Sequence, residues 1–148
     1  MASTKLKTII HIDDDLDDLA LFQEAITRLY PAYVVASFSD SKTALSFLEE
    51  TTTIPGIIFL DINMPKQNGK ETLLLIRRNK KLAGVPVVMY SSTIYGADKD
   101  TYLKLGANEF LKKANTDDGM IQEIDQLLLK FLKYDINEFY NEQKNNIR

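Results

Sequence analysis

Cysteine is absent from the 148 residues, which removes disulfides, thiolate nucleophiles and cysteine-based metal sites and leaves oxygen ligands for any bound metal. An excess of charge is missing as well. Lys and Arg number 18 against 21 Asp and Glu, a net of −3, and the basic residues are scattered, so no electrostatic footprint for nucleic acid stands out. No stretch approaches the roughly 18 apolar residues of a membrane span, and the apolar run within Met1–Ile12 is too short for a secretory signal. The expectation is a cytoplasmic protein with neither nucleic acid nor membrane among its partners. Internal repeats and low-complexity linkers are also lacking. The one histidine, His11, stands inside an apolar segment and reads as a structural strand residue rather than a metal ligand or phosphodonor.

What is present is an ordinary balance, 45% hydrophobic and 26% charged, in a chain long enough to bury a substantial core. A length near roughly 150 residues favours one domain. Short apolar segments alternate with segments of helical spacing. Lys7–Ile12 reads as a strand, Asp13–Asp15 as a turn, and Asp17–Leu29 as a helix through Leu19, Phe22, Ile26 and Leu29. Pro31 stops that helix, and Tyr33–Phe38 and Ser41–Glu49 form a second strand and helix. Gly56–Leu60 is a third strand, followed by a long turn over Asp61–Gly69 and the helix Lys70–Arg78. Val85–Tyr90 leads to a helix over Ala97–Leu105 capped by Gly106. Glu109–Leu111 then precedes a last helix from about Asp117 to Tyr134. Five such units predict an α/β fold, a doubly wound parallel sheet with helices on both faces. In the flavodoxin-like (βα)5 arrangement the strand order is 2-1-3-4-5.

That topology gives the acidic residues a meaning. Ligands in open α/β sheets collect beyond the carboxyl ends of the strands, at the switch point between strands 1 and 3. Those strand ends carry Asp13–Asp15 and Asp61. Like charges converging there would repel unless a cation joined them, and Mg²⁺ suits one or two carboxylates with waters and phosphate oxygens. Two more residues complete a phosphoryl-transfer set: Ser91 at the end of strand 4 supplies a hydroxyl, and Lys113 past strand 5 a positive charge. Each has an everyday alternative. Asp13–Asp18 could be a solvated helix-capping loop, Asp61 a turn residue, Ser91 a strand-end hydroxyl and Lys113 a solvated lysine. Their joint occurrence at four strand ends favours the site.

With IIHIDDD (Ile9–Asp15), FLDINMPKQNG (Phe59–Gly69), VPVVMYSS (Val85–Ser92) and GANEFLKKA (Gly106–Ala114), the chain resembles a response-regulator receiver domain of the CheY-like superfamily, stand-alone in type. The resemblance runs from about Lys5 to Tyr134, with 5–134 as the receiver domain and 135–148 as a polar tail or helical extension. It implies that Asp61 accepts a phosphoryl group from a histidine kinase or phosphotransferase. Mg²⁺ would be held by Asp14, Asp61 and the backbone carbonyl of Asn63, with Asp13 nearby, one layer behind. Ser91 would bind phosphoryl oxygens, Lys113 would pair with the phosphate, and Phe110 would be an aromatic switch residue beside Ser91.

The resemblance also implies a two-component or phosphorelay protein that is no conventional enzyme but catalyses its own phosphorylation and slow autodephosphorylation. Phosphorylation would shift a conformational equilibrium that controls docking of a downstream protein, through the face around Tyr102, Phe110 and the last helix. A monomer or a phosphorylation-dependent dimer would be expected. One departure stands out. Many receivers carry proline, often cis, after the lysine, and here Ala114 follows Lys113, so either a trans bond with a rearranged loop or a strained cis bond is expected.

Three rival functions are weighed against this. A haloacid-dehalogenase-like phosphatase wants an acid two residues after its nucleophile, where this chain has Asn63. A flavin-binding flavodoxin wants a phosphate cradle after strand 1, where DDDLDD would repel it. A pseudo-receiver adaptor that works without phosphorylation keeps the fold, but has no need of Asp14, Asp61, Ser91 and Lys113 together. Phe139 and Tyr140 in the tail could extend the last helix, pack back or bind a partner, and Asp135 could cap a short extra helix.

Overall fold

A computed structural model of the chain describes residues 7–64, 67–92 and 96–132. Its elements are β1 (Lys7–Ile12), α1 (Leu16–Leu29), β2 (Tyr33–Phe38), α2 (Ser41–Glu50), β3 (Ile57–Leu60), α3 (Gly69–Arg78), a 3₁₀ turn (Lys80–Leu82), β4 (Val87–Ser91), α4 (Gly96–Lys104), β5 (Glu109–Lys112) and α5 (Asp117–Leu132). The tail expected over 135–148, with Asp135, Phe139 and Tyr140, lies outside the described residues. The chain divides into two compact units, Met1–Lys113 with the whole sheet and Ala114–Arg148 with α5. No helix among the described residues is long and apolar enough to cross a membrane.

The sheet is parallel throughout in the order β2-β1-β3-β4-β5, the flavodoxin-like arrangement expected. Its inner strands β3 and β4 are buried at every position, which is why they read as unbroken apolar runs rather than alternating ones. One face presents Ile10, Ile12, Ile58, Leu60, Val87 and Met89 to a core shared with Ala44 and Leu48 of α2, Leu73 and Ile76 of α3, and Tyr102 of α4. The opposite face presents His11 and Phe59 to Phe22 of α1, whose ring lies 4.2 Å from the imidazole and 5.0 Å from the Phe59 ring. Helices thus cover both faces within the first unit, and the fold is doubly wound.

Strand β4 starts at Val87, two residues later than its apolar run begins. Pro86 has no N–H for a ladder. Val85 instead closes the 3₁₀ turn, its N–H donating to Leu82 O at 3.0 Å, while its carbonyl accepts from Arg77 at 2.9 Å. Gly106 ends α4 as its sequence position suggests. Its φ of 110° is open to glycine at little cost, and the bonds Gly106 N–H to Leu103 O and Ala107 N–H to Tyr102 O close a Schellman turn.

Pairing continues one residue past several strands, and this aims the polar residues. Asp13 N–H donates to Phe38 O at 3.0 Å, Asp61 N–H to Ile12 O at 2.9 Å, and Lys113 N–H to Ser91 O at 2.8 Å. Each side chain therefore leaves a backbone already fixed by the sheet. The loop after Asp61 is held shut by Gly69, whose N–H donates to Ile62 O at 2.9 Å. A Cβ there would sit 2.6 Å from the Asp61 carbonyl oxygen and 2.7 Å from Ile62 Cα, with only backbone to give way. Gly69→Ala is expected to push the β3–α3 loop off Asp61 and to cost about 1–3 kcal/mol of stability by overpacking, measured by denaturant unfolding. An unchanged unfolding midpoint would contradict this close approach.

Candidate functional site

The acidic stretch after β1 divides into distinct jobs. Asp15 is the N-cap of α1, its Oδ1 accepting from the N–H groups of Asp17 at 3.0 Å and Asp18 at 3.2 Å. Asp14 is exposed at the rim. Asp13 is fully buried, with Oδ1 accepting from Asp15 N–H at 2.9 Å and Oδ2 from the Lys113 ammonium. Burial by itself raises the Asp13 carboxyl, but the His11 ring, the Lys113 ammonium and the Asp15 N–H outweigh it and hold Asp13 below the usual carboxylate range. The His11 Nε2 faces Asp13 Oδ2 at 3.7 Å, a polar contact longer than an ordinary hydrogen bond, and burial holds the imidazole below its usual range.

Asp61 leaves the end of β3 only 6% exposed, and its Oδ1 accepts from Ile62 N–H at 2.9 Å. Its carboxyl is pushed up to about 6, first by burial and then by the Asp13 charge, against the opposing pull of Lys113, Ser91 and the Ile62 N–H. Asp13, Asp14 and Asp61 each offer an oxygen, and these lie within 4.8 Å of one another. Asp14 also lines a groove of about 840 Å³ with Ser41, Leu45 and Glu49 of α2, Met64 of the loop after β3 and Glu71 of α3.

Ser91 ends β4 and is fully buried, and its Oγ makes no hydrogen bond of ordinary geometry, although it lies near enough to Asp61 to favour the charged carboxylate. Lys113, just past β5, places its Nζ on Asp13 and, at 2.8 Å, on Asp18, with the Tyr90 ring centre 5.7 Å away. Burial works against its charge, yet Asp13 and Asp18 overcome that and hold the ammonium above its ordinary range. The Lys113–Ala114 bond is trans, which decides between the two expectations for it. Asn63 is exposed in the loop after Asp61. Phe110 and Tyr102 are buried with ring centres 5.6 Å apart, so in this state their rings belong to the core and offer little docking surface.

Sequence reasoning brought Asp13, Asp14, Asp61, Ser91 and Lys113 to one end of the sheet, and they do meet there. It missed Asp18. The available signal was its place at the head of the i, i+4 row Asp18, Phe22 and Ile26, whose other two members are buried in the inward face of α1. The residues fit a hard divalent cation. Three carboxylate oxygens crowd together, and the ammonium within reach is engaged by Asp13 and Asp18, not by Asp61. An unpartnered hydroxyl stands ready beside them.

Comparison with known proteins agrees with this geometry. The family model described as the response regulator receiver domain matches residues 9–125. Response regulator Rcp1 of Synechocystis sp. is 30% identical over 132 residues, covering 84% of this chain and 90% of that protein. Transcriptional regulatory protein CpxR of Escherichia coli is 28% identical over 83% of this chain, which spans 50% of CpxR. Among solved structures, the phosphorylated cyanobacterial phytochrome response regulator RcpA superposes with a TM-score of 0.78 at 26% identity, covering 86% of this chain and 94% of that one. The Mn²⁺-bound form of Rcp1 gives a TM-score of 0.73 at 25% identity, over 83% and 92% of the two chains.

The displaced acidity of Asp61 has a measurable consequence in metal-free protein. Its folded value of about 6 exceeds the ordinary 3.8, so folding favours the protonated form. The stability this group contributes is complete below pH 4 and is lost as pH rises through about 6. Asp61→Asn is therefore expected to stabilise the chelator-treated protein by about 2–3 kcal/mol at pH 8 and by nothing near pH 4. Thermal unfolding of both proteins across that range checks it, and a gain independent of pH would sink the assignment.

Proposed function

The chain belongs to the response regulator receiver domain family, and from that premise we propose that Asp61 is the phosphoacceptor of a two-component or phosphorelay system. The observation that carries this reading is the meeting, at one end of the sheet, of Asp61, two further carboxylates, an unpartnered buried hydroxyl and an ammonium. Receiver domains are signalling proteins rather than conventional enzymes, and what this one catalyses is its own modification. Mg²⁺ would be held by Asp14, Asp61 and the Asn63 carbonyl with Asp13 beside them, and when bound it supplies the charge neutralisation that lets an anionic phosphoryl group approach carboxylates.

The remaining chemistry falls to side chains of the chain. The Asp61 carboxylate oxygen attacks phosphorus in line, an O–P bond forms, and the donor bond breaks with its electron pair leaving on the donor. The donor is the phosphoimidazole of a histidine kinase or phosphotransferase, or a small acyl phosphate. Ser91 Oγ, lacking a partner in the resting state, donates to one phosphoryl oxygen, and Lys113 pairs with another. Later attack by water at phosphorus restores the carboxylate and releases phosphate. Signal output is a shift between two arrangements of the β4 and β5 units, with Phe110 repacking against Tyr102 and a downstream protein reading the result in the cytoplasm.

Incubation with Mg²⁺ and acetyl phosphate, read by intact mass, should add one phosphoryl group to the wild type and none to Asp61→Asn. An unmodified wild type would favour the pseudo-receiver adaptor, and an adduct surviving in Asp61→Asn would move the acceptor elsewhere. Ser91→Ala separates chemistry from folding. Because the hydroxyl is buried without a partner, its loss should change stability by less than about 1 kcal/mol, while the rate of phosphoryl uptake should fall by roughly ten-fold or more. Uptake at the wild-type rate would remove Ser91 from the site.

A further inference from the structure

Lys113 is held by two carboxylates, and only one of them belongs to the phosphoryl-transfer set. The geometry points to Asp18 as a positioning residue that keeps the Lys113 ammonium away from Asp61 in the resting protein and competes with the phosphoryl group for it. The inference rests on the reading of Asp61 as phosphoacceptor and concerns how that reaction is restrained.

Asp18 is set in place before any ligand arrives. Its own N–H is tied to the Asp15 cap at 3.2 Å, which fixes the first turn of α1, and its carboxylate meets Lys113 Nζ at 2.8 Å across 95 residues of sequence. An ammonium has three N–H donors. Asp13 and Asp18 take two, and among the described residues Lys113 forms no ion pair with Asp61. Of the two acceptors, Asp13 is fully buried and is held further by the Asp15 N–H, so it cannot release its counter-charge without stranding a buried anion. Asp18 is 35% exposed and can give its carboxylate to water. When Asp61 carries a phosphoryl group, the bond that yields is therefore the one to Asp18, and its loss is charged against the phosphorylated state. Asp17 provides the contrast. It is exposed, carries the same charge at the same helix start, and makes no ion pair with a lysine among the described residues.

The test is the affinity for beryllofluoride, a stable mimic of the phosphoryl group, measured by titration calorimetry with Mg²⁺ present. Asp18→Asn should bind it about five-fold more tightly than wild type, the worth of one partly exposed ion pair. Asp17→Asn should match wild type, and Asp18→Glu, which keeps the charge within reach of Lys113, should stay close to it. In a Lys113→Gln background the Asp18→Asn change should have no further effect, since a residue acting through lysine has nothing left to act on. Equal tightening by Asp17→Asn, or tightening that persists without the lysine, would show simple loss of repulsion and overturn the proposal. No change or weaker binding in Asp18→Asn would overturn it as well. If Lys113→Gln does not fold, the Asp17 and Asp18→Glu arms still decide. Wild type that binds no beryllofluoride at all would bring down the Asp61 reading together with this one, whereas a binding wild type with an indifferent Asp18→Asn brings down this one alone.

Discussion

Burial of a charged Asp13 at the end of β1 is the constraint on which the rest of the site depends. An ionised carboxylate with no exposed surface is tolerated only when paired and hydrogen-bonded. Here the pairing comes from Lys113, beyond β5, and from the Asp15 N–H one turn on. The ion pair thus links the carboxyl ends of two strands separated by β3 and β4 in the sheet. Its second effect falls on Asp61. Burial pushes the Asp61 carboxyl up and the Asp13 charge pushes it further, and with the ammonium taken up by Asp13 and Asp18 little opposes them, so it reaches about 6.

The same arrangement explains why a run of five acids in six residues, Asp13 to Asp18, is not redundant. One is buried against a lysine, one faces solvent beside the buried pair, one caps the helix, one is exposed in its first turn, and one turns back to the lysine. Backbone geometry alone assigns these roles, because the strand ends at Ile12 and the helix begins at Leu16. The cap on Asp15 sets the start of α1, and the i, i+4 spacing then holds Asp18 on the face that carries Phe22.

Much of this was legible in the chain itself. Unbroken apolar runs separated by segments of helical period imply a parallel sheet, and the switch-point rule then brings Asp13 or Asp14 to Asp61. Boundaries were less legible where a competing bond decided them: Arg77 and the 3₁₀ turn claim Val85, so β4 waits for Val87. Pairing across the sheet was least legible. Lys113 reads as a partner for phosphate and Asp18 only as part of the first helix or its capping loop, and the contact between them spans 95 residues that no local pattern relates.

In the metal-free protein the groups of the site oppose one another or lack a partner. Burial and the Asp13 charge push the Asp61 carboxyl up to about 6, and the buried Ser91 hydroxyl has no hydrogen-bond partner. Under the proposed function a cation between the carboxylates would relieve the repulsion, and a phosphoryl group on Asp61 would meet the hydroxyl. Each would then raise the affinity for the other, because the cation removes the charge that opposes the anion. In the phosphorylated state proposed above, Lys113 would exchange Asp18 for the phosphoryl group. Asp18 lies on α1, so the resting arrangement is held from an element outside the β4 and β5 units.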